Sequence, residues 1–353
     1  MLRFWIFSLA IFYSFQLADT AVECEQKNVT VQFPATSPNA SCATYSIGTW
    51  LCWKRGTQLH ANKVVHLTIS GFTYDHTYWS FPYQSPKYSY VDYVIEKSNG
   101  RIVVLNIDRL GIGLSSKPSL ASDVNINSHA YVIYDLTKKL YQRTYRNIKF
   151  KNIVIVSHSL GTVIMYRVAS DATYNQYIKG LILTGLSHVQ SSATLDNLIA
   201  SFYPVQLDPK FSQQSIPMGY VTTNPFNNTR PSLFFKTSNA DPNIIALDEQ
   251  LKQTGTQDEV FSGTSVFPPN VTRMIPTRIP ILIVVGQFDA FVCNASNVAL
   301  QCNSVADIIE REQPFYLQPI EAYILSQAGH SINLHLNAQD WYQQALLWTQ
   351  RYF

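Results

Sequence analysis

Short apolar runs separated by helix-like stretches recur along most of this chain. Lys63-Val64-Val65-His66-Leu67-Thr68-Ile69-Ser70 reads as a strand that closes at Gly71. Arg101 to Asp108, Asn152 to Val156, Lys179 to Leu186, Pro280 to Val285 and Ile320 to Leu325 repeat the pattern. Between them, Tyr88 to Lys97, Ser128 to Tyr145, Thr162 to Ala169 and Val305 to Arg311 predict helices. Gly100 is a natural stop for the first, and Ser128 is expected to cap the second. The amphipathic stretch Trp341 to Phe353 predicts a last helix, and a β-rich entry occupies Ala43 to Arg55. Buried strands alternating with helices predict an α/β domain: a mostly parallel sheet with helices on both faces.

The rhythm breaks between Ser187 and Thr277, which is rich in Pro, Asn, Ser, Thr and Gln. This stretch lies between two core strands and is expected to be an inserted cap. The division that follows is residues 22–186 and 278–353 for the core and 187–277 for the cap or lid. Phe202, Tyr203, Phe211, Tyr220, Phe226, Phe234 and Phe235 are too many aromatics for a disordered insert. They either line an apolar pocket or form the cap's own small core, which is the commoner role.

The length of 353 residues and 46% hydrophobic content suffice for one large core. Charged residues are 14% and scattered, with a net charge of +3, so nothing points to nucleic acid as a partner. Met1-Leu2-Arg3 followed by Phe4 to Leu17 has the form of a secretory signal, giving residues 1–21 as a signal peptide cut between Ala18 and Val22. An uncleaved anchor is the alternative, but the apolar stretch is short for a bilayer span. The C-terminal helix pattern does not read as a lipid-anchor tail or a retention signal. Glycosylation sequons at Asn28, Asn39, Asn227, Asn270 and Asn294 agree with export to a secreted or extracellular destination. In an oxidising compartment the five cysteines should pair. Cys293 and Cys302 are the first expected pair, closing a short loop. Two of Cys24, Cys42 and Cys52 form another, with the choice open and one cysteine left over.

The most informative stretch is Val156-Ser157-His158-Ser159-Leu160-Gly161. It joins a buried strand to a helix, and a serine at that sharp turn has its hydroxyl thrust above the sheet edge. Its neighbours at two residues on either side must be small so that strand and helix can approach. Here these elbow supports are Ser157 and Gly161, with Ser157 at a position usually held by glycine. A serine hydroxyl needs a base to take its proton, and the base needs a third group to orient it. Asp289 follows the strand Pro280 to Val285, and His330 follows the strand ending at Leu325. Both therefore lie at strand carboxyl ends, where open α/β sheets place their sites. His335 is a rival base, whereas His158 should point away. The oxyanion donors should be the backbone N–H of Leu160 and that of Phe72, with Thr73 as the alternative.

Taken together these segments resemble the α/β-hydrolase superfamily with an inserted cap, over roughly Val64 to Leu347. Ser70-Gly71-Phe72 with Trp79 is similar to the family's His-Gly oxyanion segment, with Ser70 replacing the usual histidine. Asp108-Arg109-Leu110-Gly111-Ile112-Gly113-Leu114-Ser115 resembles its D-x-x-G-x-G-x-S loop. Ser157 to Gly161 resembles the nucleophile elbow, Gly286 to Asp289 the acid segment, and Ala328-Gly329-His330 the histidine segment. The resemblance implies a secreted serine hydrolase with Ser159, Asp289 and His330 as its triad, acting on small-molecule carboxylic esters or lipids through an acyl-enzyme. No metal or organic cofactor is required. Contact with a membrane surface would suit a lipid substrate but has no pattern of its own behind it, and the oligomeric state is not legible. Two other readings stay open. An aminopeptidase-like peptidase would want a carboxylate for the substrate amine, with Asp241, Asp248, Glu249, Asp258 and Glu259 as candidates. A non-catalytic ligand-binding homologue would keep the fold without turnover.

Overall fold

The computed structural model describes residues 21–34 and 43–353. The expected signal segment, apart from Ala21, lies outside the described residues, as do Asn39 and Cys42. Eleven strands are present among those described: β1 (Val22–Gln32), β2 (Thr44–Lys54), β3 (Val64–Ile69), β4 (Ile102–Ile107), β5 (Asn152–His158), β6 (Ile178–Thr184), β7 (Phe202–Pro204), β8 (Tyr220–Thr223), β9 (Gly255–Thr256), β10 (Ile281–Gly286) and β11 (Glu321–Leu325). The helices are α1 (Tyr90–Lys97), α2 (Ile126–Tyr141), α3 (Leu160–Ser170), α4 (Ser192–Ala200), α5 (Thr229–Phe234), α6 (Pro242–Leu251), α7 (Gln257–Phe261), α8 (Pro269–Thr272), α9 (Val305–Glu312) and α10 (Ala338–Tyr352).

Eight strands form one sheet in the order β1-β2-β4-β3-β5-β6-β10-β11. From β4 to β11 every pairing is parallel, and only β1 and β2 run antiparallel to their neighbours. β3, β4 and β10 are buried at every residue. That requires both faces to be covered, which is why these strands read as unbroken apolar runs. Helix α1 packs against α10, and α2 against α3.

The sequence gives no warning of β1. Its pattern, Val22-Glu23-Cys24-Glu25-Gln26-Lys27-Asn28-Val29-Thr30-Val31-Gln32, is mostly polar and mostly exposed. It is an edge strand whose place is set by backbone pairing with β2 and by the Cys24–Cys52 disulfide across that pair. The second disulfide is the expected one, Cys293–Cys302, nine residues apart. Helix α2 also corrects an expectation. Asn125 is its N-cap, accepting the N–H groups of Asn127 and Ser128, and Ser128 sits one turn in, its hydroxyl accepting the Asn125 N–H. Both residue types suit a cap, and only the reciprocal geometry of a capping box picks the first. The helix ends at Tyr141, short of the expected Tyr145.

Residues between β6 and β10 fold into α4 to α8 and a small antiparallel sheet, β7-β8-β9. Phe211, Tyr220, Phe234 and Phe235 are buried there, whereas Phe226 is exposed. Arg230 ties this segment together and to the core. It makes a two-pronged pair with Asp248 and donates to the Thr73 hydroxyl at 2.8 Å. No helix of the described residues is long and apolar enough to cross a membrane.

Candidate active site

Ser159 stands between β5 and α3 with φ 53° and ψ −119°. Only a tightly held turn keeps a non-glycine residue in that region. Gly161 makes the turn feasible, since a Cβ there would lie 2.5 Å from the Ile69 carbonyl oxygen. Ser157 fits in place of glycine because its hydroxyl has a partner. Thr162 Oγ1 donates to the Thr184 carbonyl and lies 3.0 Å from Ser157 Oγ, so Ser157 donates to it. Ser159 does not cap α3 with its side chain. Its hydroxyl lies instead 2.9 Å from Nε2 of His330.

His330 and Asp289 meet because the loops after β10 and β11 are packed backbone to backbone. A Cβ on Gly286 would fall 2.1 Å from the Gly329 carbonyl oxygen. His330 Nδ1 lies 2.9 Å from Asp289 Oδ2. Asp289 is fully buried, and its other oxygen accepts the Phe291 N–H at 3.0 Å. With a carboxylate as partner, Nδ1 carries the proton and Nε2 is left to accept from Ser159. Phe291 and His158 flank the imidazole, at 4.5 and 4.8 Å between ring centres. The three residues expected from the sequence are thus brought into one hydrogen-bonded line.

Gly71 lies directly against this line, since a Cβ there would be 3.0 Å from Ser159 Cβ. Phe72 and Leu160 border the same space. Their N–H groups have no acceptor among the described residues. Ser70, at the position where the resemblance noted a replaced histidine, turns its hydroxyl to the Tyr74 carbonyl at 2.7 Å and so braces the loop. The Asp108 loop is explained by its carboxylate, which accepts the N–H groups of His76 and Leu114 at 2.9 and 2.7 Å. Gly113 is required beside it, because a Cβ there would overlap Asp108. Asp75, His76 and Asp108 are close enough to hold a cation. Donors from Thr77, Gln253, His76 and Leu114 already engage their carboxylate oxygens, so the cluster is accounted for by protein contacts.

The rival histidines have other partners. His335 Nε2 accepts the N–H groups of Gly329 and Lys236, and Nδ1 donates to the Ser331 carbonyl. Burial lowers its pKa to about 4 and keeps it neutral. His158 faces Thr184 Oγ1 through Nδ1 and is stacked on Tyr78. Burial, then the neighbouring His330, drives its pKa well below the usual histidine value.

A cavity of about 400 Å³ opens at Ser159 and His330. Val163, Leu186, Leu195, Leu198, Phe267 and Phe291 supply its apolar wall, and His188, Gln190 and Thr264 its polar points. None of the seven cap aromatics singled out from the sequence borders it. Among the described residues no carboxylate borders it either. Asp248 is paired with Arg230, Glu249 with Lys252, and Glu259 with Arg109. Asp241 caps α6, and Asp258 is exposed. Of the sequons, Asn28, Asn227, Asn270 and Asn294 are exposed.

Sequence reasoning missed the buried group Arg109, His129 and Glu259 beneath the Gly71 loop. One signal was available. Thr256-Gln257-Asp258-Glu259 spells a capping box, which marks Glu259 as the third residue of a helix. Its inward partner was not legible.

No family model matches the chain, and no curated protein matches it in sequence. Solved structures do. A soluble variant of monoglyceride lipase from Saccharomyces cerevisiae, in complex with a substrate analogue, superposes with a TM-score of 0.61 at 16% identity. The match covers 96% of this chain and 98% of that one. An esterase from Exiguobacterium antarcticum gives 0.57 at 11% identity, covering 91% and 99%. An esterase from Pyrococcus furiosus gives 0.51 at 13%, covering 93% and 91%. Sheet order, crossover pattern and these likenesses establish the α/β-hydrolase fold.

Proposed function

We propose that this protein is a serine hydrolase that cleaves carboxylic esters or lipids through an acyl-enzyme. The observation that carries the reading is the line Asp289–His330–Ser159, with 2.9 Å at each step, at the mouth of an apolar cavity. Ser159 Oγ attacks the ester carbonyl carbon as its proton passes to His330 Nε2. The N–H groups of Phe72 and Leu160 receive the charge that develops on the carbonyl oxygen. Collapse expels the alcohol, which takes the proton from His330, and the acyl group stays on Ser159. Water then attacks the acyl carbon with His330 again as base, and His330 returns that proton to Ser159 Oγ as the acyl–oxygen bond breaks and the acid leaves. Asp289 keeps the proton on Nδ1 and stabilises the imidazolium formed in each step.

The apolar wall suits an acyl chain, and residues 187–277 would act as the cap above it, contributing Leu195, Leu198 and Phe267. The lack of a bordering carboxylate speaks against a peptidase that must hold a substrate amine. Two disulfides and exposed sequons support secretion of a glycosylated protein.

The test is labelling with a fluorophosphonate, followed by hydrolysis of p-nitrophenyl esters of graded acyl length. Wild type should label and turn over ester, and Ser159→Ala should do neither. A well-folded wild type that takes no label would overturn the hydrolase reading in favour of a ligand-binding protein.

A further inference from the structure

Arg109 follows β4 and is 1% exposed. A guanidinium buried this deeply is costly unless its charge is paired, and here only the two Nη groups have partners, the buried Nε having none among the described residues. Its Nη1 pairs with Oε1 of Glu259 and lies 3.1 Å from His129 Nε2. Its Nη2 donates to the Gly71 carbonyl at 3.0 Å, an oxygen that also accepts the Tyr74 N–H at 3.2 Å. Glu259 is in turn fixed on all sides. Oε1 lies 2.7 Å from His129 Nε2, and Oε2 accepts the Thr256 N–H at 2.8 Å. Burial alone would raise the Glu259 pKa, but Arg109 and the hydrogen bonds from His129 and Thr256 outweigh it and hold the carboxyl below its ordinary range. The result is an anchored guanidinium aimed at one backbone oxygen.

That oxygen belongs to the peptide unit that carries the Phe72 N–H. The Gly71–Phe72 bond is trans, so the carbonyl and the N–H point in opposite directions. A grip on the oxygen from the Arg109 side therefore aims the N–H to the other side, where Gly71 abuts Ser159 and Phe72 borders the cavity. A peptide unit next to glycine has the freedom to rotate. If this one turned over, it would present a carbonyl oxygen to the developing oxyanion instead of a donor.

We propose that Arg109 is a positioning residue that holds the Phe72 N–H in the oxyanion hole, with Glu259 of the 187–277 segment as its anchor. The inference rests on the ester-hydrolase reading. It adds that the catalytic power of the site depends on a buried ion pair that touches neither substrate nor triad.

The test compares an oxoester with its thionoester, in which sulfur replaces the carbonyl oxygen. Sulfur accepts hydrogen bonds poorly, so an enzyme that relies on N–H donors favours the oxoester, and loss of a donor shrinks that preference. The double variant Arg109→Met/Glu259→Gln removes both charges and leaves neither buried alone. Sites are counted by fluorophosphonate run to completion, so unfolded molecules drop out of the rate. We expect kcat per site on the oxoester to fall about 100-fold, the scale of a lost oxyanion donor, with KM little changed and the oxoester preference reduced about 10-fold. Glu259→Gln alone leaves Arg109 in place with a weaker anchor and should give a smaller shift in the same direction. It decides the question by the same ratio if the double variant does not fold. A lowered melting temperature with kcat per site and the ratio both unchanged would make the network purely structural and overturn the inference. A folded wild type that turns over neither ester overturns the hydrolase reading, and this inference with it.

Discussion

His335 Nε2 accepts the N–H of Gly329 at 2.9 Å, one residue before the imidazole that faces Ser159. The same nitrogen accepts the Lys236 N–H at 3.1 Å. A second histidine thus fixes the backbone beneath the first and ties it to the segment after β6. His335→Ala leaves two N–H groups without an acceptor, at a cost of about 1–3 kcal/mol for each that stays buried. We expect a clear drop in unfolding midpoint and a partial loss of ester hydrolysis. His330→Ala should instead abolish turnover while the fold holds. Equal loss of turnover in the two variants would refute this division of roles, and denaturant melts read beside initial rates would reveal it.

Ser157 replaces a glycine without loosening the elbow. Its hydroxyl donates to Thr162, which donates to the Thr184 carbonyl, so a side-chain chain links β5, α3 and β6. Ser157→Gly should therefore lower stability by about 1 kcal/mol and bring no gain in kcat. A more active, equally stable variant would mean that the serine strains the turn.

Leu195 stands on α4 and borders the cavity below Ser159. In Leu195→Trp the larger ring should fill part of the cavity that the proposed function assigns to an acyl chain. Acetyl esters should react nearly as in wild type, and esters of longer acids should lose at least about 10-fold in kcat/KM, the order that a methylene misfit costs. A uniform change across chain lengths would place the acyl group elsewhere.

Four buried histidines, His66, His129, His158 and His335, have lowered pKa values and weaken the fold in acid, and His76, where burial is outweighed by Asp108 and the pKa is raised, works against them. Burial lowers the pKa of His66 to about 3 and of His335 to about 4, and drives that of His158 well below the ordinary value. In the unfolded chain each titrates near about 6.5. Below that pH the unfolded state binds protons that the folded state refuses, so stability falls as pH falls. Each of the lowered groups contributes a slope of up to about 1.4 kcal/mol per pH unit, until the pH reaches its folded pKa. The urea midpoint should accordingly drop between about pH 7 and about pH 5, before most carboxylates titrate. A midpoint that holds steady over that range would show that these rings are protonated in the folded protein.

The pattern of apolar runs determined the α/β class by itself, because a strand covered on both faces has no polar positions to alternate. It also put Ser159, Asp289 and His330 at strand carboxyl ends, which parallel strands deliver to one edge, while their selection and order rested on the resemblance. Local signals went no further. β1 is polar and exposed, and only its partner strand gives it a place. The choice between His330 and His335 was decided by which nitrogen reaches Ser159 and which reaches the backbone, at a separation of five residues. Glu259 read as one of five spare carboxylates until the fold set it against Arg109, 150 residues earlier in the chain. Such pairings depend on distances between segments that folding alone brings together, and a charge carries no mark of its partner in the sequence around it.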